Sequence, residues 1–237
     1  MKSYYLIYEN GMNSKSAFYK TLIISVIVQI FTFVVEVVSL FFKVPGEYSI
    51  IRELLILEIS VQMIEGLFYV WLIFNFAEVV DITPKRYIDW SITTPTMLIT
   101  LIFYLIYSYH KEKNISTHLD FFDLFSKNAS TITYIVVLNW MMLIFGYLGE
   151  KKIIPTTHGV LLGFIPFIMY YFMIYINYVR TPDGFNVFLY FFIFWSFYGV
   201  VALFPYYLKN ACYNILDLFA KNLFGVLLSY MIISGRY

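Results

Sequence analysis

Charged residues are scarce in this sequence. Asp, Glu, Lys and Arg make up 13% of its 237 residues, and the formal net charge is +1. A soluble domain carries about 25% charged residues, so the composition argues against a soluble fold, and the near-neutral balance gives no sign of a nucleic-acid partner. The single cysteine, Cys212, excludes an intrachain disulfide bond. The few histidines lack the spacing of metal ligands, so we expect no metal site.

Apolar residues take the place of the missing charge. Hydrophobic residues make up 61% of the chain, and the mean hydropathy is +0.74. They gather in seven stretches, 21–42, 54–74, 88–107, 132–149, 159–176, 185–204 and 211–233. Each stretch is near the length of about 20 residues that a membrane-spanning helix needs. We therefore predict an all-α membrane protein, with one domain over residues 1–237 and a short polar extension at residues 1–19.

Basic residues between the stretches do not decide the orientation of the chain. Cytoplasmic segments of membrane proteins carry an excess of Lys and Arg. With the N-terminus outside, and with Arg86 and Lys221 set aside, the remaining Lys and Arg residues divide equally between the two sides. Our expectation of an extracellular N-terminus and a cytoplasmic C-terminus therefore does not rest on charge.

A lysine lies near the middle of the last apolar stretch. Lys221 at membrane depth costs several kcal/mol unless it is paired or neutral. Asp217 precedes it by four residues and shares its helix face. A buried lysine that loses its proton is a good nucleophile towards an aldehyde. The pattern predicts an intramembrane Schiff-base site with its own counterion.

The third apolar stretch opens with further polar residues. Arg86 precedes Asp89 by about one turn and is in position to pair with it, and Thr93 shares the face of Asp89. Pro95, which follows Thr94, frees a backbone carbonyl and can bend the helix. If these helices meet the seventh, the charged residues form a compact cluster in which protons can be exchanged. The alternative is a purely structural network of salt bridges.

Three motifs in these stretches resemble those of a known family. They are Arg86-Tyr87-x-Asp89-Trp90-x-x-Thr93-Thr94-Pro95, Trp195-Ser196-Phe197-Tyr198 and Asp217-x-x-x-Lys221. In order and position they resemble the third, sixth and seventh helices of the microbial (type 1) rhodopsins. The details Asp217-x-x-x-Lys221-Asn222-x-Phe224-Gly225 and Asp81-Ile-Thr-Pro are similar to the branch of viral rhodopsins and channelrhodopsins. The resemblance implies a seven-transmembrane-helix bundle of the microbial rhodopsin type.

The resemblance also implies roles for the charged residues. Lys221 would bind all-trans retinal as a protonated Schiff base. Asp89 would be the primary counterion and first proton acceptor, and Asp217 the second counterion. Thr93 would hydrogen-bond to Asp89, and Arg86 would close the outer half of the ion pathway.

The same resemblance implies a pocket for the polyene. Its walls would come from Trp90, Trp195 and Tyr198, with Met142 and Gly146 nearer the ring end of the ligand. Aromatic rings supply the wide apolar faces that a flat polyene needs. Any single aromatic residue is weak evidence, because 22% of the chain is aromatic.

Several positions depart from bacteriorhodopsin. The cytoplasmic proton donor falls on Thr100, which cannot donate a proton usefully, so we expect slow reprotonation. A proline and a tryptophan of the pocket fall on Gly199 and Ala202, so that wall would be thinner or filled from elsewhere. Thr94 and Asn139 would occupy the paired positions that link the third and fourth helices.

The second apolar stretch contains a polar stripe. Glu58, Gln62 and Glu65 follow the spacing i, i+4 and i+7 and span about 10 Å of one helix face. Facing lipid would be costly, and carboxylates along a pore favour cations. The stripe predicts an ion path; the alternatives are a water-filled cavity without conduction and an oligomer interface. Gln29 and Glu36 of the first stretch could face the same path or contact another protomer.

Our prediction is a retinal-binding, light-activated ion transporter without enzymatic activity. The first hypothesis is a light-gated cation channel, and the alternative is a light-driven outward proton pump. A light sensor that acts through a partner protein is a third class. The expected partners are retinal, the lipid bilayer, protons or monovalent cations and further copies of the chain.

Overall fold

The computed structural model describes residues 2–76, 81–115 and 118–237, with side chains from residue 14 onward, and every regular element in these ranges is helical. In chain order the elements are α1 (Lys2–Ser39), a 3-10 turn (Gly46–Tyr48), α2 (Ser49–Asn75), α3 (Thr83–Glu112), α4 (Phe121–Glu150), α5 (Thr156–Tyr178), α6 (Pro182–Val201), α7 (Tyr206–Asp217), a π-helical turn (Leu218–Asn222) and α8 (Leu223–Ser234). The last three elements form one continuous rod.

Among the described residues, seven helical segments are long and apolar enough to cross a membrane. The predicted seven-helix architecture is confirmed. The helices extend beyond the apolar stretches, because their polar ends can lie at the membrane surfaces. The helix α1 begins at Lys2 and so runs through residues 2–19, where the sequence predicts a short polar extension. The side chains of residues 1–13 lie outside the described part.

The central helices of the bundle are α3 and the seventh span. In the most apolar window of each span, 67% of the α3 residues are buried. The buried share is 56% for the seventh span and 28% for the first. The polar residues that the sequence analysis singled out are concentrated on these two helices and on the inward face of α2. The fold therefore places them away from lipid.

The seventh span changes its winding at the predicted lysine. Lys221 lies inside the π-helical turn, and Asp217 is the residue immediately before the turn. A π turn places an extra residue in the helix and leaves backbone groups without their usual partners, and such turns are frequent at functional sites. The hydroxyl of Tyr190 on α6 donates to the carbonyl oxygen of Phe219 within this turn. The apolar pattern of the stretch predicted an uninterrupted helix, so the turn is a feature that the sequence did not reveal.

Candidate functional site

Lys221 lies at the centre of a buried charged cluster. Its Nζ donates a hydrogen bond to Oδ2 of Asp89 at 2.9 Å. Two further carboxylate oxygens lie near the same nitrogen, Oε1 of Glu65 at 3.4 Å and Oδ1 of Asp217 at 3.8 Å. The side chains of all these residues are at most 5% exposed. The bundle thus brings α2, α3 and the seventh span together around one amine.

Arg86 pairs with Asp217, and the predicted pair with Asp89 is wrong. The Nη1 atom of Arg86 lies 3.2 Å from Oδ2 of Asp217. Its guanidinium also donates to the side-chain oxygens of Asn210 and Asn214 at 3.2 and 2.5 Å. These partners all lie on the seventh span, so the planar fork of the guanidinium turns towards that span and leaves Asp89 to Lys221.

Asp217 is held by more donors than Asp89. The hydroxyls of Tyr69 and Tyr198 donate to its two carboxylate oxygens at 2.5 and 2.6 Å. Tyr69 also accepts a hydrogen bond from Arg86 at 3.1 Å. Sequence reasoning missed Tyr69, Asn210 and Asn214. The available signal was spacing on a shared helix face: Tyr69 follows Glu65 by four residues, and Asn214 and Asn210 precede Asp217 by three and seven.

The charges in the cluster do not cancel if every group is ionised. Two cations, Lys221 and Arg86, face three carboxylates. An uncompensated charge in a low-dielectric interior is costly, so one carboxyl group holds a proton. Neither oxygen of Glu65 has a hydrogen-bond partner among the described atoms, whereas Asp89 and Asp217 each accept at least one charge-assisted bond. We therefore assign the proton to Glu65.

Thr93 is hydrogen-bonded to Asp89, through the backbone of that residue. Its hydroxyl donates to the backbone carbonyl oxygen of Asp89 at 3.0 Å. This is the usual bond of a threonine in the middle of a helix, to the carbonyl four residues earlier. The predicted hydrogen bond between Thr93 and Asp89 is therefore present, with the backbone carbonyl oxygen as its acceptor.

An aromatic cavity begins at Lys221. Its empty volume is about 770 Å³, including the space at its open mouth. It is lined by residues of α3 to α7, of the end of α6 and of the π turn, namely Tyr87, Trp90, Thr94, Met97, Met142, Leu143, Gly146, Gly159, Val160, Gly163, Phe164, Phe167, Trp195, Tyr198, Gly199, Ala202, Tyr213, Ala220 and Lys221. Every expected wall residue is among them. The α5 residues were not predicted, because they form no polar or motif-like pattern.

The walls of the cavity are flat aromatic faces. Trp90 makes edge-to-face contacts with Tyr198 and Tyr213, with ring centroids 5.5 and 5.2 Å apart. At Gly199, a Cβ atom would lie 2.6 Å from the ring of Phe164, so that ring fills the wall that the sequence left thin. A long apolar cavity with an amine at one end fits a polyene aldehyde such as retinal. The residues therefore suit the cofactor that the resemblance implies.

Thr94 and Asn139 are in direct contact. Nδ2 of Asn139 on α4 donates to the hydroxyl of Thr94 on α3 at 2.7 Å. The Thr94 hydroxyl in turn donates to the carbonyl oxygen of Trp90 at 2.6 Å. The pair thus joins two helices beside the cavity.

The α2 stripe faces the interior of the bundle. Glu58, Gln62 and Glu65 are each at most 4% exposed. Thr32 of α1 accepts hydrogen bonds from Gln62 and from Asn222 of the π turn, at 2.6 and 2.7 Å. In this state, these hydrogen bonds therefore block a path along the stripe between Glu65 and Glu58.

The two polar residues of the first stretch are also internal. Gln29 and Glu36 are 3% and 1% exposed, and the Glu36 carboxylate packs against Gly225 of α8. A role of either residue in a protomer contact is therefore excluded by its burial. Both face α2 and the seventh span within one chain.

The fold and the site together define a seven-helix membrane protein with a lysine and its counterions at the end of an aromatic cavity. Residues 16–235 match the family model of bacteriorhodopsin-like proteins, and the chain belongs to this family. Proteins of the family bind a retinal chromophore and are mostly transporters or sensors. The sequence matches no curated protein.

Solved structures show the same fold. The viral rhodopsin OLPVRII is 24% identical, with a TM-score of 0.78 over 93% of this chain and 99% of that chain. Xanthorhodopsin, described as a light-driven ion pump with dual chromophore, is 17% identical, with a TM-score of 0.71 over 94% and 95% of the two chains. The rhodopsin of Exiguobacterium sibiricum is 18% identical, with a TM-score of 0.70 over 94% and 98%.

Proposed function

We propose that this protein binds all-trans retinal at Lys221 and uses light to move ions across a membrane. The observation that supports this most directly is the position of Lys221 Nζ, at the end of an aromatic cavity and 2.9 Å from the Asp89 carboxylate. When bound, retinal supplies light absorption and an isomerisation that changes the direction of the nitrogen's proton. The chain supplies the lysine, the apolar walls and the counterions.

The first step of the protein is a proton transfer. Asp89 accepts the proton from Nζ of Lys221, because it is the carboxylate nearest to that nitrogen and has an oxygen, Oδ1, without another partner. Asp217 is a poorer acceptor, since Arg86, Tyr69 and Tyr198 stabilise its charged form.

Our first candidate function is a light-gated cation channel. Glu58 Oε1, Gln62 Oε1 and both Glu65 oxygens are buried and have no hydrogen-bond partner among the described protein atoms. Buried polar atoms of this kind are normally satisfied by water or ions, and an acidic stripe favours cations. Loss of the charge pair between Lys221 and Asp89 would release the contacts of α3 and open the stripe.

The second candidate is a light-driven outward proton pump. The hydrogen bond between Lys221 and Asp89 supports it equally, because a pump begins with the same transfer. Xanthorhodopsin, which has the same fold, is described as an ion pump. We place the N-terminus outside and the C-terminus in the cytoplasm, so that Asp89 and Arg86 lie towards the outer side. Association with further copies of the chain stays a prediction.

A light-evoked current–voltage curve, recorded in a voltage-clamped cell supplied with all-trans retinal, tests these candidates. A channel gives a current that reverses sign and follows the cation gradients. A pump gives a current that stays outward at all voltages. Lys221→Ala is the control for both, since removal of the lysine at the end of the cavity abolishes retinal attachment and the current. A current in this variant would contradict the proposal.

Glu65→Gln then tests the ion path. In a channel, loss of this carboxyl group changes cation selectivity or current size, whereas in a pump the current is little affected. Because Glu65 also lies 3.4 Å from Lys221, the absorption spectrum of the variant must be recorded alongside. Unchanged current and selectivity would count against a path along α2.

A further inference from the structure

The π turn that contains Lys221 is attached to neighbouring helices on both sides of the lysine. Two residues before Lys221, the backbone carbonyl oxygen of Phe219 accepts a hydrogen bond from the hydroxyl of Tyr190 on α6. One residue after Lys221, the side chain of Asn222 donates to the hydroxyl of Thr32 on α1 at 2.7 Å. The lysine therefore lies between two fixed points, one on α6 and one on α1.

The attachment to α6 includes side chains as well as the backbone. The rings of Tyr190 and Phe194, which are one turn apart on α6, have their centroids 4.6 Å apart. The ring of Phe194 stacks on the ring of Phe219, with centroids 5.3 Å apart and an interplanar angle of 9°. Such aromatic pairs stabilise a contact beyond the area that they bury. Phe219 is thus held through its carbonyl oxygen by Tyr190 and through its ring by Phe194.

The surroundings of Phe219 make the Tyr190 hydroxyl hard to replace. Phe219 is 41% exposed on a helix of membrane-spanning length, so this side of the turn faces lipid. A π turn leaves backbone groups without their usual partners, and the hydrocarbon interior of a bilayer holds no water that could satisfy them. A carbonyl group that loses the Tyr190 hydroxyl there is left unsatisfied, which favours a different winding of the turn.

The winding of this turn determines the direction of the lysine side chain. Each residue of an α-helix rotates the chain by about 100°, so the extra residue of a π turn rotates the residues after it relative to Asp217. With the present winding, Nζ of Lys221 lies 2.9 Å from Oδ2 of Asp89 and 3.8 Å from Oδ1 of Asp217. A return to regular α-helical winding would turn Lys221 out of this arrangement.

We propose that Tyr190 is a positioning residue for the retinal site: its hydrogen bond to Phe219 keeps the seventh span in the π winding and thereby keeps Nζ of Lys221 directed at Asp89. Tyr190 is not among the residues that line the cavity, so it acts through the backbone of the turn. The inference rests on the proposed function, and it applies to a pump and a channel alike, because both begin with the transfer of a proton from that nitrogen to Asp89.

Flash absorption spectroscopy of the retinal-loaded Tyr190→Phe variant tests the proposal. The change removes the hydroxyl and keeps the ring that packs against Phe194. A misplacement of reacting atoms by about 1 Å can cost about 100-fold in rate, so we expect proton transfer to Asp89 to slow by about 10- to 100-fold. The matched control is Tyr175→Phe on α5, since Tyr175 is 45% exposed and its hydroxyl has no hydrogen-bond partner among the described residues. This control should transfer the proton at the wild-type rate.

Vibrational spectroscopy separates positioning from a general loss of stability. With retinal bound, the carbon–nitrogen stretch at Lys221 shifts between water and heavy water, and the size of the shift reports the strength of the hydrogen bond at that nitrogen. Tyr190→Phe should reduce this deuterium shift, and Tyr175→Phe should leave it unchanged. If Tyr190 has a merely structural role, Tyr190→Phe lowers the unfolding temperature without any change in the deuterium shift.

The hydrogen bond itself can be observed by nuclear magnetic resonance, whether or not retinal is bound. Carbon-13 at the carbonyl groups of Phe, combined with nitrogen-15 in Ala, marks the peptide between Phe219 and Ala220 and one other Phe–Ala peptide in the sequence. Tyr190→Phe should move one of these two signals, and Tyr175→Phe should move neither. Two unmoved signals in Tyr190→Phe would show that the hydroxyl does not bond to the turn, which would overturn the proposal.

The outcomes separate this inference from the proposed function. Slower proton transfer together with a smaller deuterium shift in Tyr190→Phe, and neither change in Tyr175→Phe, supports the positioning role. An unchanged deuterium shift in Tyr190→Phe overturns that role whatever the rate, and it leaves the proposed function intact if the wild-type protein responds to light. A wild-type protein that forms no coloured complex with retinal would overturn both.

Discussion

At the scale of single residues, three carboxyl groups near one amine receive different roles from their hydrogen-bond partners. Asp217 is held by Arg86 and two tyrosines, so its charge is fixed. Asp89 has Lys221 as its one partner and is free to accept a proton. Glu65 accepts no hydrogen bond among the described atoms, so it is the group to which we assign the proton. Distance to the nitrogen alone would not separate these roles.

Asp89→Asn tests the role of the nearest carboxylate. The change keeps the shape of the side chain but removes its charge, so the retinal-bound nitrogen loses its main counterion and the acceptor of its proton. We expect a shift of the absorption maximum to longer wavelength and a loss of the light-evoked proton signal of about 100-fold or more. Visible spectroscopy and flash photolysis measure both. A variant with wild-type spectrum and proton transfer would show that Asp217 or Glu65 is the acceptor.

The sequence predicted those site residues whose chemistry is unusual for a membrane helix. Lys221, Asp89 and Asp217 were detectable because a charged side chain within an apolar run requires a partner. Tyr69 was harder to detect: it follows Glu65 by four residues, but a tyrosine is ordinary in a chain so rich in aromatic residues. The position of Glu65 beside Lys221 was also hidden, since it depends on how α2 is rotated against the seventh span.

At the scale of helices, apolar length predicted the spans, and local contacts determine how they pack. The π turn was not predictable, because no residue type specifies it in the sequence. The α4–α5 pair packs closely through glycines. At Gly159 an added Cβ atom would lie 2.7 Å from the carbonyl oxygen of Phe145 and 3.0 Å from Cα of Gly149. Backbone atoms cannot move aside as a flexible side chain can.

Gly159→Ala should therefore destabilise the protein by separating α4 from α5. Forcing extra atoms into a closely packed interface costs about 1–3 kcal/mol. The matched control is Gly46→Ala, because an added Cβ atom there meets nothing within 4 Å. Thermal unfolding in detergent should show a lower midpoint for Gly159→Ala and an unchanged one for Gly46→Ala. Equal midpoints would mean that the two helices can separate without loss.

Asn139→Ala tests the link between α3 and α4. The change removes the hydrogen bond to Thr94, and hydrogen bonds between membrane helices contribute on average about 0.6 kcal/mol. We expect a small loss of stability but a clear change in the rate at which the starting absorption recovers, because the bond lies beside the retinal cavity. Asn177→Ala, which removes only an exposed bond within α5, is the control. Identical recovery rates in the two variants would argue against a link that affects retinal.

At the scale of the whole molecule, a buried ion pair joins the start of α7 to the end of α4. Nζ of Lys209, at the start of α7, donates to both carboxylate oxygens of Glu150, at the end of α4, at 2.7 and 2.8 Å. Their side chains are 8% and 7% exposed. Each lies one turn from a residue that lines the retinal cavity, Tyr213 on α7 and Gly146 on α4. The ion pair therefore lies one turn beyond the cavity and joins distant parts of the chain.

Removal of one partner should affect both stability and access to the cavity. Lys209→Met leaves the Glu150 carboxylate buried without a cation, which costs about 3–5 kcal/mol for a buried pair. The control is Lys127→Met, which breaks the ion pair between Lys127 and Asp123. These side chains are 68% and 55% exposed, so the loss should cost at most about 1 kcal/mol. Lys209→Met combined with Glu150→Leu should recover most of the loss, because no charge is then left unpaired. In the dark, hydroxylamine should also bleach the retinal-loaded Lys209→Met protein faster than the wild type. If Lys209→Met unfolds and bleaches like Lys127→Met, the ion pair neither stabilises the bundle nor limits access to the cavity.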